Sequence, residues 1–336
     1  MTDHDRQHRQ PVRLNTPEAL LTAIPYLLGY HPCERLVALL LNVNHVELIL
    51  SYELDTPDIA THLVDCARRH HAPAVALALF SDLGSATTLL RSTAHAARTA
   101  GIRLLGQMQI QHGRYQVLDP HDGERTGWQQ FGPDTAIQAT MVTHGLVAHA
   151  HRADLDKQFT PVTGAARDAI RHTTMVINQR WQHRSRRDAN KTRHALRAIG
   201  LRYLATIDRQ VRADPTQTIA LPDNHLAQLG ICLREVAVRD AAIEYLDTNL
   251  AAYQQLWSQM MRRVDHDDLP ACATICAFAF WQAGDSVSAG FAITHALDAD
   301  PGYRLAQLLR TALDAQIPPN DRAHKHAHAT PHSAER

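Results

Sequence analysis

The spacing of apolar residues changes several times along the first half of the chain. Residues 17–28 carry leucine and isoleucine at helical intervals, and Thr16 ahead of them is a favoured N-cap residue. Gly29 can adopt the left-handed conformation that ends many helices. Residues 36–41 are all apolar, which is typical of a strand buried on both faces. The pattern therefore predicts a helix, a tight exit and a central strand.

Further patterns extend this beginning into a sheet covered by helices. Continuous or alternating apolar runs predict strands, whereas apolar positions three and four residues apart predict helices. The elements predicted in this way are strands at 46–54, 74–80, 102–111 and 114–118, and helices at 56–69 and 85–100. Strands and helices that alternate along a chain form an α/β layer, and hairpins add antiparallel strands at its edges. We therefore predict a mixed β-sheet with flanking helices, followed by a long loop at 119–133.

From residue 134 onward the pattern is helical throughout. Residues 163–213 are strongly basic, and their apolar spacing predicts two amphipathic helices that break near 185–190. Further helices are predicted between 223 and 315. The predicted fold class is α/β followed by all-α, in which the second part is a helical-hairpin domain.

Residues 270–301 fit the pattern of one tetratricopeptide-type helical hairpin. Small residues are needed where the two helices of such a hairpin cross closely. The small positions are Ala277, Ala289 and Ala296, and the large apolar positions are Phe280 and Ile293. One such unit and a following half-unit indicate a stack of helical hairpins and do not identify a named repeat protein.

These elements divide the chain into five segments. They are a polar N-terminal tail at 1–15, an α/β domain at 16–150, a basic helical connector at 151–221, a helical-hairpin domain at 222–317 and a disordered His-rich tail at 318–336. A fragment that begins near residue 222 is expected to fold separately.

Composition removes several classes of partner. Of the 336 residues, 45% are hydrophobic, and 34 Lys and Arg balance 34 Asp and Glu. Without net charge, no long-range field favours nucleic acid or an anionic membrane. No apolar stretch is long enough to span a bilayer, and no signal peptide is visible. The five cysteines are scattered and form no disulfide framework, so we expect a cytoplasmic protein without a membrane partner.

Three motifs carry a resemblance to a known family. They read PYLLGYHP at 25–32, VRDAAIEYL at 238–246 and WQAGD at 281–285. In this order they are similar to the actinobacterial domain-of-unknown-function family numbered 4192. Members of that family commonly carry Ser where this chain has Arg35, and a cysteine-containing insert that residues 119–133 lack. The resemblance covers nearly the whole chain and implies no catalytic residue.

The joint between the first helix and the first strand carries the most unusual polar residues. Tyr30, His31, Glu34 and Arg35 lie there, and His31 can act as a general base or bind a ligand near neutral pH. In the alternative interpretation, Tyr-His-Pro ends the helix and His31 bonds a free carbonyl group. Asp82 follows the predicted central strand, where α/β sheets tend to bind ligands. We predict a ligand site of these five residues, with His31 and Asp82 as the catalytic candidates.

The sequence gives little support for a metal or cofactor site. Cys272 and Cys276 share a helix face, but no further ligands lie at a spacing that suits zinc, so packing of small residues explains both thiols. The histidines within 324–332 either bind zinc or nickel loosely or belong to a polar tail, and their composition favours the tail. No phosphate-binding glycine loop, dinucleotide fingerprint or Gly-x-Ser-x-Gly elbow is present. We predict no metal and no cofactor.

The segment 180–202 is the strongest charge feature of the chain. It contains eight Lys or Arg and one acidic residue, Asp188. Such a segment can contact nucleic acid, but zero net charge and the absence of an aromatic stacking platform favour a solvated helix face. Nucleic acid is therefore not the expected partner.

Two functions remain open from the sequence. The first is a non-enzymatic module that binds a protein, peptide or ligand, with a groove on the C-terminal helices and the α/β half as scaffold. The second is a small-molecule enzyme, such as a hydrolase, with its site near His31 and Asp82. The absence of a recognised catalytic constellation favours the binding module.

Overall fold

The N-terminal half of the molecule is a mixed α/β structure. The computed structural model describes residue 14 and residues 16–42, 45–84, 86–118, 126–215 and 218–319. The elements of this half are α1 (Pro17–Leu28), β1 (Arg35–Asn42), β2 (His45–Glu53), α2 (Ile59–Arg69), β3 (Ala74–Phe80), α3 (Ala86–Thr99), β4 (Arg103–Gln111), β5 (Arg114–Leu118), β6 (Gln129–Gln130), α4 (Thr135–Thr143) and α5 (Arg152–Asp156). The predicted tails at 1–15 and 318–336 lie outside the described residues, except for residues 14, 318 and 319.

The first helix begins and ends as its sequence predicts. The Thr16 Oγ1 atom accepts a hydrogen bond from the Ala19 N–H at 3.1 Å, and Pro17 occupies the first turn, where its missing N–H costs nothing. Gly29 takes φ 80°, the left-handed conformation that favours glycine. This tight exit places Tyr30 to Glu34 directly before β1.

The strands form one six-stranded sheet in the order β2-β1-β3-β4-β5-β6. Strand β1 is antiparallel to both β2 and β3, whereas β3 and β4 run parallel and are joined through α3. Strands β5 and β6 continue the sheet with antiparallel pairs. The prediction of a mixed sheet with antiparallel additions is confirmed.

Helices cover both faces of this sheet. On one face, side chains of β1 and β3 such as Leu36 and Leu77 form a core with Leu63 of α2 and Leu90 of α3. Helix α1 lies against the other face, where its Glu18 carboxylate accepts a hydrogen bond from the Tyr115 hydroxyl of β5. The residues buried on that second face include Val37, Leu39, Ala76, Ala78 and Met108. Burial on both faces explains why β1 and β3 are continuous apolar runs.

The second half is helical in the part of the chain that the structure describes. Its elements are α6 (Ala165–Arg187), α7 (Ala189–Ala213), α8 (Asp223–Cys232), α9 (Val236–Glu244), a 3-10 turn (Tyr245–Thr248), α10 (Leu250–Arg263), a second 3-10 turn (His266–Asp268), α11 (Leu269–Gln282), α12 (Ser286–Ala299) and α13 (Arg304–Asp314). Helix α11 is buried along most of its length and packs on α10, α12 and α13. The break between α6 and α7 falls at Asp188, within the predicted 185–190.

Contacts within the chain divide it into two compact units at residues 155 and 156. Helices α6 and α7, which the sequence analysis set apart as a connector, belong to the second unit. Their residues Ile170, Leu204, Ile207 and Val211 are part of the same core as α8 to α13. An amphipathic helix needs a partner for its apolar stripe, and α8 and α9 provide it here.

Two local predictions need correction. The helix predicted from residue 56 begins at Ile59, because Asp58 adopts φ 53° and residues 57 and 58 form a turn. The long loop predicted at 119–133 contains β6, a short edge strand that pairs Gln129 and Gln130 with β5. Among the described helices, none combines the length and the apolar character required to cross a membrane.

Candidate functional site

Polar groups from three neighbouring strands lie together at one edge of the sheet. The parallel strands β3 and β4 end at this edge, and the antiparallel β1 begins there. Glu34 precedes β1, Ser81 and Asp82 follow β3, and His112 follows β4. In open α/β sheets the carboxyl ends of parallel strands are the usual place for ligands, so this edge is the candidate site.

Glu34 bridges the end of β3 and the loop before α3. Its carboxylate accepts hydrogen bonds from the Ser81 hydroxyl at 2.6 Å and from the Asp82 N–H at 3.0 Å. The same Ser81 oxygen accepts a bond from the Leu83 N–H at 3.0 Å, and Ser81 is only 4% exposed. Glu34 adopts φ 51°, a conformation that costs a non-glycine residue about 1 kcal/mol or more. Bonds to an ionised carboxylate are strong enough to offset that cost.

Asp82 extends the same network to the turn between β4 and β5. Its Oδ1 atom accepts the His112 N–H at 3.0 Å and lies 3.5 Å from the His112 Nδ1 atom. Its main-chain carbonyl accepts a bond from the Gln111 side-chain amide at 3.0 Å. Both side chains of the Asp82–His112 pair are more than half exposed, so their ionic attraction contributes little to stability. The bond to the His112 N–H instead holds the turn, where His112 itself has φ 47°.

Tyr30 and Arg35 form a second, separate group at the start of β1, with partners on β2. Tyr30 is 2% exposed, and its hydroxyl lies 2.9 Å from the Ser51 hydroxyl. The Arg35 guanidinium lies 5.9 Å from the centre of the Tyr30 ring and 2.5 Å from the Glu53 carboxylate. These contacts fix the conformation of the chain where it enters β1.

His31 is exposed, and its main chain rather than its imidazole carries the local bonds. The His31 N–H donates to the His149 carbonyl at 2.9 Å, and the His149 N–H donates to the Gly29 carbonyl at 2.8 Å. The interpretation of His31 as a side chain that bonds a free carbonyl therefore needs correction, because the main chain of residue 149 supplies that bond. Within the described residues, no hydrogen bond or ion pair joins the His31 ring to Asp82.

The structure thus joins the five predicted residues only in pairs. Glu34 contacts the Asp82 main chain, Arg35 contacts Tyr30, and His31 remains apart. Ser81 and His112 were missed by the sequence analysis. Ser81 could have been found from the sequence, because it directly follows a predicted strand and is next to Asp82. Finding His112 requires the knowledge that β4 lies next to β3.

A second polar cluster, also missed, ties α1 to β5. The Tyr115 hydroxyl donates to the Glu18 carboxylate and lies 2.8 Å from the Gln129 side-chain oxygen. The bond from Tyr115 lowers the pKa of Glu18 below its usual value. Burial, together with Glu18, raises the pKa of Tyr115 to about 12. At neutral pH the pair is a carboxylate and a neutral phenol, which makes it a structural latch and not a proton-transfer pair.

The sequence model of one family, described as a domain of unknown function (DUF4192), matches residues 17–320. The chain belongs to this family. No curated protein and no solved structure shows significant similarity to it. Because the match begins in α1 and extends beyond α13, the family is defined by the α/β unit and the helical unit together.

The chemistry that these groups offer is limited by their partners. The Ser81 hydroxyl donates to the Glu34 carboxylate, which is a base, but Ser81 is only 4% exposed and offers little surface to a substrate. No group of three or more His, Cys, Asp or Glu is placed to hold a metal ion in the described ranges. Cys272 and Cys276 are fully buried, and burial raises the pKa of Cys276 to about 12. Both thiols are therefore packing residues at neutral pH.

Proposed function

We propose that this member of the DUF4192 family is a non-enzymatic binding module. The α/β unit is the scaffold, and the helical unit carries the surface for a protein or ligand partner. The observation that carries this proposal is the bonding of Glu34. Both of its carboxylate oxygens accept hydrogen bonds from the loop between β3 and α3, so this carboxylate holds that loop in place.

An acid–base enzyme needs a group that is free to exchange a proton with its substrate. At the sheet edge, Glu34, Ser81 and Asp82 each hold a main-chain N–H in place, at Asp82, Leu83 and His112 respectively. These hydrogen bonds hold two loops in place. This supports a structural role for the edge.

The helical unit supports a binding role through its hairpins. Helices α11 and α12 pack closely, and the three small residues expected at the crossing, Ala277, Ala289 and Ala296, are fully buried. Helix α13 packs on both of them. Stacked hairpins of the tetratricopeptide type commonly present a groove to a peptide. The similarity of α11 to α13 to such hairpins therefore supports a protein or peptide partner by analogy of fold. All five cysteines are free thiols, which supports a cytoplasmic location.

The alternative function is a small-molecule enzyme, such as a hydrolase, with its site near His31 and Asp82. The observation in favour of this enzyme is that three polar side chains near the site are exposed to solvent. The His31 side chain is open to solvent, and the Asp82 and His112 side chains are 57% and 70% exposed. A small molecule can therefore reach all three groups.

Native mass spectrometry of the full chain, purified from its own host, distinguishes the two functions. We compare the wild type with a double variant, His31→Gln and Asp82→Asn, which keeps hydrogen-bonding groups of similar reach but removes proton exchange near neutral pH. The binding proposal predicts that both proteins retain the same partner in the same ratio, with equal melting temperatures. A small molecule that the wild type retains, and that the variant loses or holds in another chemical state, would contradict it.

A further inference from the structure

The zero net charge of the chain hides a strong asymmetry within its helical half. Residues 165–213, which form α6 and α7, contain twelve Lys or Arg and three Asp. Residues 214–319 contain six Lys or Arg and thirteen Asp or Glu. Positive charge is therefore concentrated on one pair of consecutive helices.

Most of these cations lie around the turn where α6 ends and α7 begins. We call this turn and the two helix ends beside it, residues 180–197, the basic tip. Seven Lys or Arg project from it, and each is exposed to solvent. They are Arg180, Arg184, Arg186, Arg187, Lys191, Arg193 and Arg197.

The basic tip is scarcely neutralised by its surroundings. Asp188 is its one acidic residue, and it caps α7 and pairs with Lys191 at 3.4 Å. Arg193 has a long contact with Glu235 at 3.9 Å, and Arg184 lies over the buried Trp181 ring. The other four arginines have no acidic partner within 4.0 Å among the residues that the structure describes.

Two buried acidic residues of the helical half are paired away from the basic tip. Asp268 pairs with Arg234 at 2.6 Å, and Asp208 pairs with Arg212 at 2.7 Å while it also accepts bonds from Thr248 and Tyr253. These groups stabilise the unit from within.

Against the expectation drawn from the net charge of the whole chain, we infer that the basic tip binds the phosphate backbone of double-stranded nucleic acid. Six of its seven cations are arginine, whose planar guanidinium matches phosphate oxygens through two parallel hydrogen bonds. From Arg180 to Arg187 the helix advances by about 10 Å, and a duplex presents about six phosphate charges over that length. The inference goes beyond the proposed function, since it assigns a separate surface of the helical half to nucleic acid.

Other classes of partner fit the basic tip less well. Single-stranded nucleic acid is held mainly by stacking on exposed aromatic rings, and Trp181, the aromatic residue of the tip, is only 7% exposed. Protein partners are held by apolar and aromatic anchors, and none of the exposed large apolar side chains of the described residues lies within 180–197. The basic tip is therefore a charged surface suited to contacts with the phosphate backbone of nucleic acid and not with the base edges.

The test is fluorescence anisotropy of the full chain with labelled 20-base-pair duplexes of two unrelated sequences, over a series of salt concentrations. The tip variant carries Arg180→Gln, Arg187→Gln and Arg197→Gln. The control variant carries Arg91→Gln, Arg103→Gln and Arg304→Gln, which remove the same charge from exposed arginines outside the tip. Glutamine is nearly as good a helix former as arginine, and circular dichroism verifies that both variants fold.

We expect the wild type and the control to bind both duplexes with equal affinity. The logarithm of their binding constant should fall steeply with the logarithm of salt concentration. For the tip variant the slope should decrease by about 3, since each phosphate contact contributes about 0.9. The loss should be the same for both sequences.

Three results would overturn the inference. The first is the absence of duplex binding at 50 mM salt, and the second is an equal loss in the tip and control variants. The third is retention of the wild type on phosphatidylserine vesicles or poly-glutamate without binding to duplex, which would assign the tip to another anionic partner. If a protein partner is still retained in native mass spectrometry, the proposed function stands while this inference fails.

Discussion

A fragment of residues 222–336 is expected not to fold, in contrast to the expectation from the sequence, whereas a fragment of residues 156–336 is expected to melt cooperatively. The shorter fragment lacks α6 and α7, whose Ile170, Leu204, Ile207 and Val211 are buried in the core of the helical unit. Burial of a large aliphatic side chain contributes about 1.5–3 kcal/mol, so the four together contribute roughly 6–12 kcal/mol. The whole stability of a domain is only about 5–15 kcal/mol.

Circular dichroism with thermal melting checks this expectation. The longer fragment should show helical signal and a single transition, and the shorter one should show weak signal without a transition. A shorter fragment that melts cooperatively would mean that α6 and α7 form a connector after all. In that case their contacts with α8 and α9 would be dispensable.

Replacing Gly200 with alanine is expected to destabilise the helical unit by about 1–3 kcal/mol. Gly200 lies where α7 crosses its neighbours, and an added Cβ atom would lie 2.6 Å from Val238 Cγ1 and 2.9 Å from Cys232 Cβ. Val238 is completely buried and has no room to move away. The clash outweighs the gain of up to about 1 kcal/mol that alanine brings to a helix.

The matched control is Gly290→Ala in α12. That glycine is also helical, but no atom lies within 4 Å of an added Cβ. Its replacement should therefore stabilise the protein by roughly 0.5–1 kcal/mol through helix propensity alone. Urea unfolding measures both changes. Equal signs for the two variants would show that α7 does not approach α8 and α9 as closely as described.

Local elements of the fold were predictable from the sequence, because each depends on residues that are neighbours in the chain. Thr16, Pro17 and Gly29 specify the beginning and end of α1 by capping and backbone geometry. The apolar runs of β1 and β3 indicate burial on both faces. The left-handed Asp58 was missed because asparagine and aspartate tolerate that conformation without requiring it.

The candidate site was less predictable, because it depends on the order of strands in the sheet. Glu34 and Ser81 are 47 positions apart and meet only because β1 pairs with β3. His112 joins them only because β4 follows β3 in the sheet. A single sequence indicates which residues end each strand, but nothing in Gln111 or His112 indicates which strand lies next to them in the sheet.

The packing of α6 and α7 was not predicted, for a related reason. Their high density of arginine suggested a solvated connector, and their apolar residues are spread over about 50 positions. Charge density reports the exposed face of a helix, whereas Ile170, Leu204 and Val211 determine what the other face contacts. Both faces have to be considered together.

The most direct test of a structural role for the sheet edge is a double-mutant cycle between Glu34 and Ser81. The free energy of unfolding is measured by urea denaturation for the wild type, Glu34→Gln, Ser81→Ala and the double variant. The control is a cycle of Asp82→Asn and His112→Gln, an exposed pair expected to couple by less than about 1 kcal/mol. If Glu34 holds the β3–α3 loop, the first cycle gives a coupling energy of at least about 1 kcal/mol. Single variants with the stability of the wild type, and no coupling, would contradict this account and leave Glu34 free for chemistry.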